Sequence, residues 1–250
     1  MSNLGASVGW GVVIAASLVA GGVVAAALSL PERVAATITT FGGGTLLAAI
    51  ALELVPEADA EAGAALTALG LLGGTLVYVG ADAWLNRNEE MKMTRRSMHA
   101  AAAGQPMQSE TARGESIAVG IFVDGVPESI AVGLTIAEGE IGVALLAGVL
   151  IGNVAESYGA AQPIVAGGRS KRFAVTLLTA IGFALAFSTV LGGTVLADAS
   201  PDLVGTAQAV AAGAVLAVVS IAVIPHAFEE VSSLVATVTV AGFIVGYLLS

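Results

Sequence analysis

The sequence predicts an all-α, polytopic membrane protein of eight transmembrane helices, and three observations lead there: composition, the length of the apolar runs, and the distribution of basic residues. Of the 250 residues, 56% are hydrophobic and 11% charged, and the mean hydropathy is +0.92. Soluble domains run near 45–50% apolar and about 25% charged. Crossing a bilayer's hydrocarbon core takes about 20 apolar residues. Runs of that size fall at 8–30, 34–56, 64–86, 114–136, 141–163, 173–197, 203–225 and 231–249. The 32 glycines and many alanines, against 5% aromatics, suit helices packed closely through small residues.

The first run has no Lys or Arg ahead of it, so it lacks the basic lead of a cleaved signal peptide and is expected to stay as a span. Glu57, Asp59 and Glu61 separate the second run from the third. After the third comes the longest polar connection, 87–113, with His99, Met91, Met93, Met98 and Met107. It divides the chain into three spans and five. The fourth and fifth runs form a tight hairpin turning at Ala137–Glu140, and short connections join the rest.

The basic residues are Arg33, Arg87, Lys92, Arg95, Arg96, Arg113, Arg169, Lys171 and Arg172. With eight spans and both termini outside, all of them fall in or beside cytoplasmic loops, as the positive-inside rule requires. The outer loops then carry only acids: Glu57, Asp59, Glu61, Glu138, Glu140, Asp198 and Asp202. The expected location is the cytoplasmic membrane. The chain has no cysteine, which excludes disulfides, thiolate metal sites and cysteine nucleophiles. A net charge of −10 gives no reason to expect nucleic acid as a partner.

An internal repeat is visible. Gly44 to Pro56 (GTLLAAIALELVP) resembles Gly213 to Pro225 (GAVLAVVSIAVIP), with glycine, small apolar residues and proline at one offset. The second and seventh spans cross in opposite directions in this arrangement, so the repeats would be inverted, a common transporter plan. Chance alignment of Gly/Ala/Val-rich helices is the alternative.

A carboxylate near the bilayer centre costs a few kcal/mol or more, so such residues normally face an interior site or a water-filled path. The fourth run carries Asp124 and Glu128, four apart and so on one helix face. Pro127 between them has no N–H and frees the carbonyl of Val123. The fifth run carries Asn153 and Glu156, also on one face. Counting outward from the hairpin turn puts Asp124 level with Asn153, Glu128 about one turn further out and Glu156 about one turn further in. The acids then span about 10 Å along the membrane normal. They form a ladder of oxygen ligands for a cation, with inter-helix hydrogen bonding as protonated packing groups the alternative.

Other polar residues carry weaker signals. Glu53, with Glu57, Asp59 and Glu61, suits an outer vestibule that gathers cations. His226, Glu229 and Glu230 stand at the inner end of the seventh run. They suit either a metal exit or a plain interfacial turn. Asp82 reads as interfacial, and Glu115 as a helix N-terminal acid.

These residues resemble the ZIP (ZRT/IRT-like protein) family of divalent metal transporters. Asp124–Gly125–Val126–Pro127–Glu128–Ser129 is similar to the family's fourth-span His-Asn-x-Pro-Glu-Gly. Gly152–Asn153–Val154–Ala155–Glu156–Ser157 is similar to its fifth-span His-x-x-Pro-Glu-Gly. Leu54–Val55–Pro56–Glu57–Ala58 matches its second-span ending, and Ile224–Pro225–His226 its seventh, with histidine where glutamate is usual. The resemblance implies a 3+2+3 arrangement of eight spans and metal sites in spans four and five. It implies inward transport of a divalent cation such as zinc, manganese or iron, with no resident cofactor and with a homodimer as one assembly. Asp124 and Gly152 stand where the family has histidines. Carboxylate in place of imidazole hardens the site and favours ions such as manganese.

A proton-linked transporter of a non-metal cargo is the alternative. A membrane-embedded hydrolase finds no support, because the chain has no HExxH motif and no Ser/His or Cys/His pair near Asp124. No enzymatic activity is expected. A membrane sensor or scaffold that moves nothing stays open at this point.

Overall fold

The computed structural model describes the backbone of every residue except 1, 2, 29, 104–107, 138, 140, 141, 197 and 198. The side chains of residues 3, 32, 82, 84–103, 108–113, 116, 124, 222, 226, 229 and 230 also lie outside the description. Among the described residues the chain is helical, with no strand. In order come α1 (Asn3–Ala27), α2 (Glu32–Ala49), α3 (Val55–Ala103), α4 (Gln108–Ala137), α5 (Val143–Ala166), α6 (Lys171–Leu191), α7 (Pro201–Val218), α8 (Ile224–Val231) and α9 (Leu234–Leu249). π-Helical turns at Ile50–Leu54, Gly192–Leu196 and Val219–Val223 link or extend them.

Six helical stretches among the described residues are long and apolar enough to cross a membrane: Leu4–Ala27, Arg33–Ala81, Ile117–Ala137, Val143–Ala166, Lys171–Leu196 and Pro201–Ile221. Leu234–Leu249 is a shorter apolar helix. Large apolar side chains such as Leu76, Val77, Phe183 and Phe187 face outward, as they do on a protein whose solvent is lipid.

The stretch Arg33–Ala81 does not run straight. Gly63 has φ 75° and ψ 159°, a region that side chains other than glycine's hydrogen scarcely enter. The packing on α7 shows what this break does. Glu57 bonds Gln208, and Ala58, Glu61 and Ala62 abut Gly205, so the chain approaches Gly63 while descending in α7 numbering. Beyond Gly63 it ascends: Gly70 lies on Thr206 and Ala209, and Gly74 on Val210 and Ala214. The chain therefore reverses at Gly63, seven residues past Pro56. Pro56 is the second residue of α3 and follows the π-helical turn Ile50–Leu54 without a gap, so it stands inside a continuous helical stretch rather than at a free helix start.

Residues 87–113, expected as a loop, are helical over 87–103 and 108–113. Between Gly80 and Gly104 the sequence holds no glycine or proline and is rich in Ala, Met, Glu, Lys and Arg. All five favour helix even without an apolar face to bury.

The repeat is present in the backbone. Six residues after Gly44 a π-helical turn starts at Ile50, and six after Gly213 another starts at Val219. Each ends two residues before a proline, Pro56 or Pro225, whose missing N–H leaves a carbonyl of the preceding turn without its ordinary partner. Both glycines also mark helix crossings. A Cβ on Gly44 would fall on the Thr239 carbonyl of α9, and one on Gly213 on the Leu71 carbonyl of α3. Threonine hydroxyls tie the same pairs: Thr45 donates to Gly242 O at 3.3 Å and Thr75 to Gly213 O at 3.1 Å. Gly43 of α2 in turn meets Val219 and Val223 of the second π-turn.

The helix α5 lies inside, packed against α1, α2, α4, α6 and α9. Gly21 of α1 meets its Ser157 and Val154, and Gly42 of α2 meets Gly148 and Gly152. Tyr158 fastens the α1–α2 connection to it, accepting from Leu30 N at 2.5 Å and lying 3.3 Å from Leu30 O. Lys171 donates to Ala26 O at the C-terminus of α1. There a cation also meets the negative end of the helix dipole.

Candidate functional site

The helices α4 and α5 form the expected antiparallel hairpin, turning through Gly139 at φ 90°. Their register is set at the far end, where Gly114 sits against Ala160 and Ile164. An equal number of residues along both helices brings Asp124 level with the turn that contains Gly152 and Asn153. This is the level that counting from the hairpin turn anticipates. The Asp124 side chain lies outside the described residues.

Glu128 is 6% exposed and Asn153 2% exposed. Pro127 lies within α4, immediately before Glu128. Gly125 fits against the Leu185 side chain of α6, and Gly133 against the Thr189 carbonyl and Gly193 amide, so small residues on α4 let α6 close behind it. The hydroxyl of Ser157 bonds back to Asn153 O at 2.5 Å. The amide nitrogen of Asn153 and the hydroxyl of Ser129 are buried without a hydrogen-bond partner. Burying such groups unmade costs about 1–3 kcal/mol each. A polar guest would recover that cost.

Gly152 is the other opening. Among the described residues, a Cβ built there would meet only Oε1 of Glu156, 4.0 Å away. Among those residues the space at Gly152 is therefore open, with the Glu156 carboxylate beside it.

Glu53 sits elsewhere. It accepts from the backbone N–H groups of Ala144 and Leu145, both at 3.4 Å, capping the start of α5, which has no side-chain cap of its own. That lies about 13 Å along α5 from Asn153. Glu57 lies against Gln208, whose Nε2 donates to Oε2 at 3.3 Å. Gln208 is fully buried, and hydropathy and motif spacing pass over it. Its one signal in the sequence is a lone amide within the apolar run 203–225. Glu115 pairs with Arg169 at 3.5 Å on the exposed side; it is not the helix N-terminal acid the sequence suggested, because α4 begins seven residues earlier at Gln108 and the dipole effect fades beyond the first turn. The backbone of His226, Glu229 and Glu230 lies in α8, and their side chains lie outside the described residues.

Among the described residues, no three His, Asp or Glu side chains converge closely enough to hold a metal ion. Glu128 lies on α4 and Asn153 and Glu156 on α5, two helices that pack against each other. Neither a scan against protein-family models nor a search of the curated proteins finds a match to this chain.

Proposed function

We propose that the chain is a ZIP-like transporter moving divalent cations into the cytoplasm through a site made by Asp124, Glu128, Asn153 and Glu156. The observation that carries this is the burial of the Glu128 side chain next to Pro127, on a helix whose partner presents Asn153 and Glu156. Carboxylates held at such a depth normally face an interior site or a water-filled path, where a passing cation can be met. Oxygen ligands without imidazole or thiolate fit manganese better than zinc.

The reversal at Gly63 supports reading Arg33–Ala81 as two crossings. With Leu234–Leu249 as a further one, this gives eight, arranged 3+2+3 about α4 and α5. The repeat formed by α2 and α7, with its matched π-turns, supports inverted halves that rock about a fixed site. In this reading both termini face outward and Arg169, Lys171 and Arg172 face the cytoplasm.

The second reading is proton-linked transport of a non-metal cargo. It is favoured by Asp124 and Gly152 at the two histidine positions of the resembling motifs. Uptake of manganese, zinc, iron and cadmium into proteoliposomes separates the two. The Glu128→Ala, Glu156→Ala double variant is expected to lose at least ~tenfold of the wild-type flux, the scale on which removing groups that hold a metal acts. Equal flux for every ion, with wild type and variant alike, would remove the site. Metal-independent thermal stability together with proton-driven uptake of another solute would favour the second reading.

A further inference from the structure

A cavity of about 530 Å³ opens between the first turns of α2 and the turn joining α8 to α9. Such a volume lies within the ~300–1,000 Å³ of small-ligand clefts. Arg33, Val34 and Ile38 line one side, Ser232 and Leu234 the other. The walls are aliphatic and open: Val34 is 41% exposed, Ile38 38% and Leu234 50%. Arg33 is exposed, and among the described residues its guanidinium has no hydrogen-bond or ion-pair partner. The position is set by the sequence, since Arg33 opens the apolar stretch Arg33–Ala81. It therefore stands at the depth where the hydrocarbon core meets the headgroups.

We propose that this groove seats one anionic phospholipid of the surrounding bilayer, its phosphate on Arg33 and an acyl chain along Val34, Ile38 and Leu234. Charge and shape together select this occupant. A soluble anion would use the arginine and gain nothing from the aliphatic walls. An uncharged chain would leave the arginine unmatched. Basic pockets between membrane helices recognise lipid headgroups in this way. The helices α2 and α9 run parallel, with Phe41 against Gly242 and Thr45 against Gly246, so both begin at this groove. Their positive dipole ends add to the attraction. A lipid held here touches both helices and joins them.

The test uses the full chain in detergent micelles, with dioleoyl phosphatidylglycerol as probe, read by native mass spectrometry and thermal unfolding. Wild type is expected to retain one lipid and to unfold at a higher temperature with it. Arg33→Gln is expected to weaken retention about fivefold, the effect of one basic residue near an anionic headgroup. Ile38→Trp, which fills the groove and keeps the charge, is expected to abolish the bound lipid and the thermal shift. Arg172→Gln, an exposed arginine outside the groove, is expected to change neither. Equal loss in Arg172→Gln would reduce the effect to general surface charge and overturn the proposal. So would undiminished binding in Ile38→Trp, or glycerol phosphate stabilising the protein as well as the lipid does.

Discussion

Gly152 and Asn153 are neighbours in the chain and opposites in what they offer. Asn153 brings an amide whose nitrogen is buried without a partner, while Gly152 brings open space beside the carboxylate of Glu156. Gly152 stands where the resembling motif has histidine, while Asn153 falls at one of its unspecified positions. The packing accommodates the glycine: Gly42 of α2 closes on the backbone of Gly148 and Gly152, and among the described residues no bulky neighbour fills the side where a Cβ would stand. Gly152→His is therefore expected to fold. It would place an imidazole next to Glu156 and shift metal preference from manganese toward zinc by roughly tenfold or more. Competitive uptake of the two ions into proteoliposomes measures this. An unchanged ratio would mean that Gly152 does not face the cation. The acids of this site were legible in the sequence because a carboxylate within an apolar run is too costly to be kept without a partner or a task. Gln208 was not, because a neutral amide disturbs hydropathy little and shows its role only through contact with Glu57.

Helix existence was written in the apolar runs, and their ends agree with α5 to within three residues and with α1, α4, α6 and α7 to within seven. Direction was harder to read at two places. The second apolar run ends at Pro56, yet the reversal comes at Gly63, where φ 75° excludes most other residues. The second case is the turn after α8, which falls at Ser232, with φ 53° in a non-glycine residue. Neither a hydroxyl nor its neighbours announces that. Gly63→Ala is expected to destabilise by about 1–3 kcal/mol, since a Cβ there meets no neighbour and the strain is purely torsional. Thermal unfolding in detergent checks it, and an unchanged midpoint would show that the reversal does not depend on this dihedral. The π-turns were invisible to any count of hydrophobicity. Only the proline offset in the repeat hinted at them.

The whole molecule is legible from sequence as a helical membrane protein, and the packing adds what hydropathy cannot: α5 lies inside, and α2 pairs with α9 as α3 does with α7. One-dimensional patterns give the length of a crossing but not its neighbours, which small-residue contacts such as Gly74 on Val210 decide. The absence of native cysteine makes the proposed orientation directly measurable. Single cysteines at Asp59 or Asp202 are expected to react with an impermeant maleimide on intact cells, and one at Ser170 only after permeabilisation. Labelling of Ser170 from outside would invert the proposed topology.

Gly63 also bears on how the protein is made. In the eight-span reading, the seven residues 57–63 join the second crossing to the third, too little chain to wait in water while the first of them settles. The two helices must leave the ribosome and enter the bilayer as a single insertion unit. Glu57, Asp59 and Glu61 would be carried across at its tip. A ribosome stalled near Gly63 would then expose a half-inserted intermediate, and lengthening this joint would alter the order of biogenesis before it altered the finished fold.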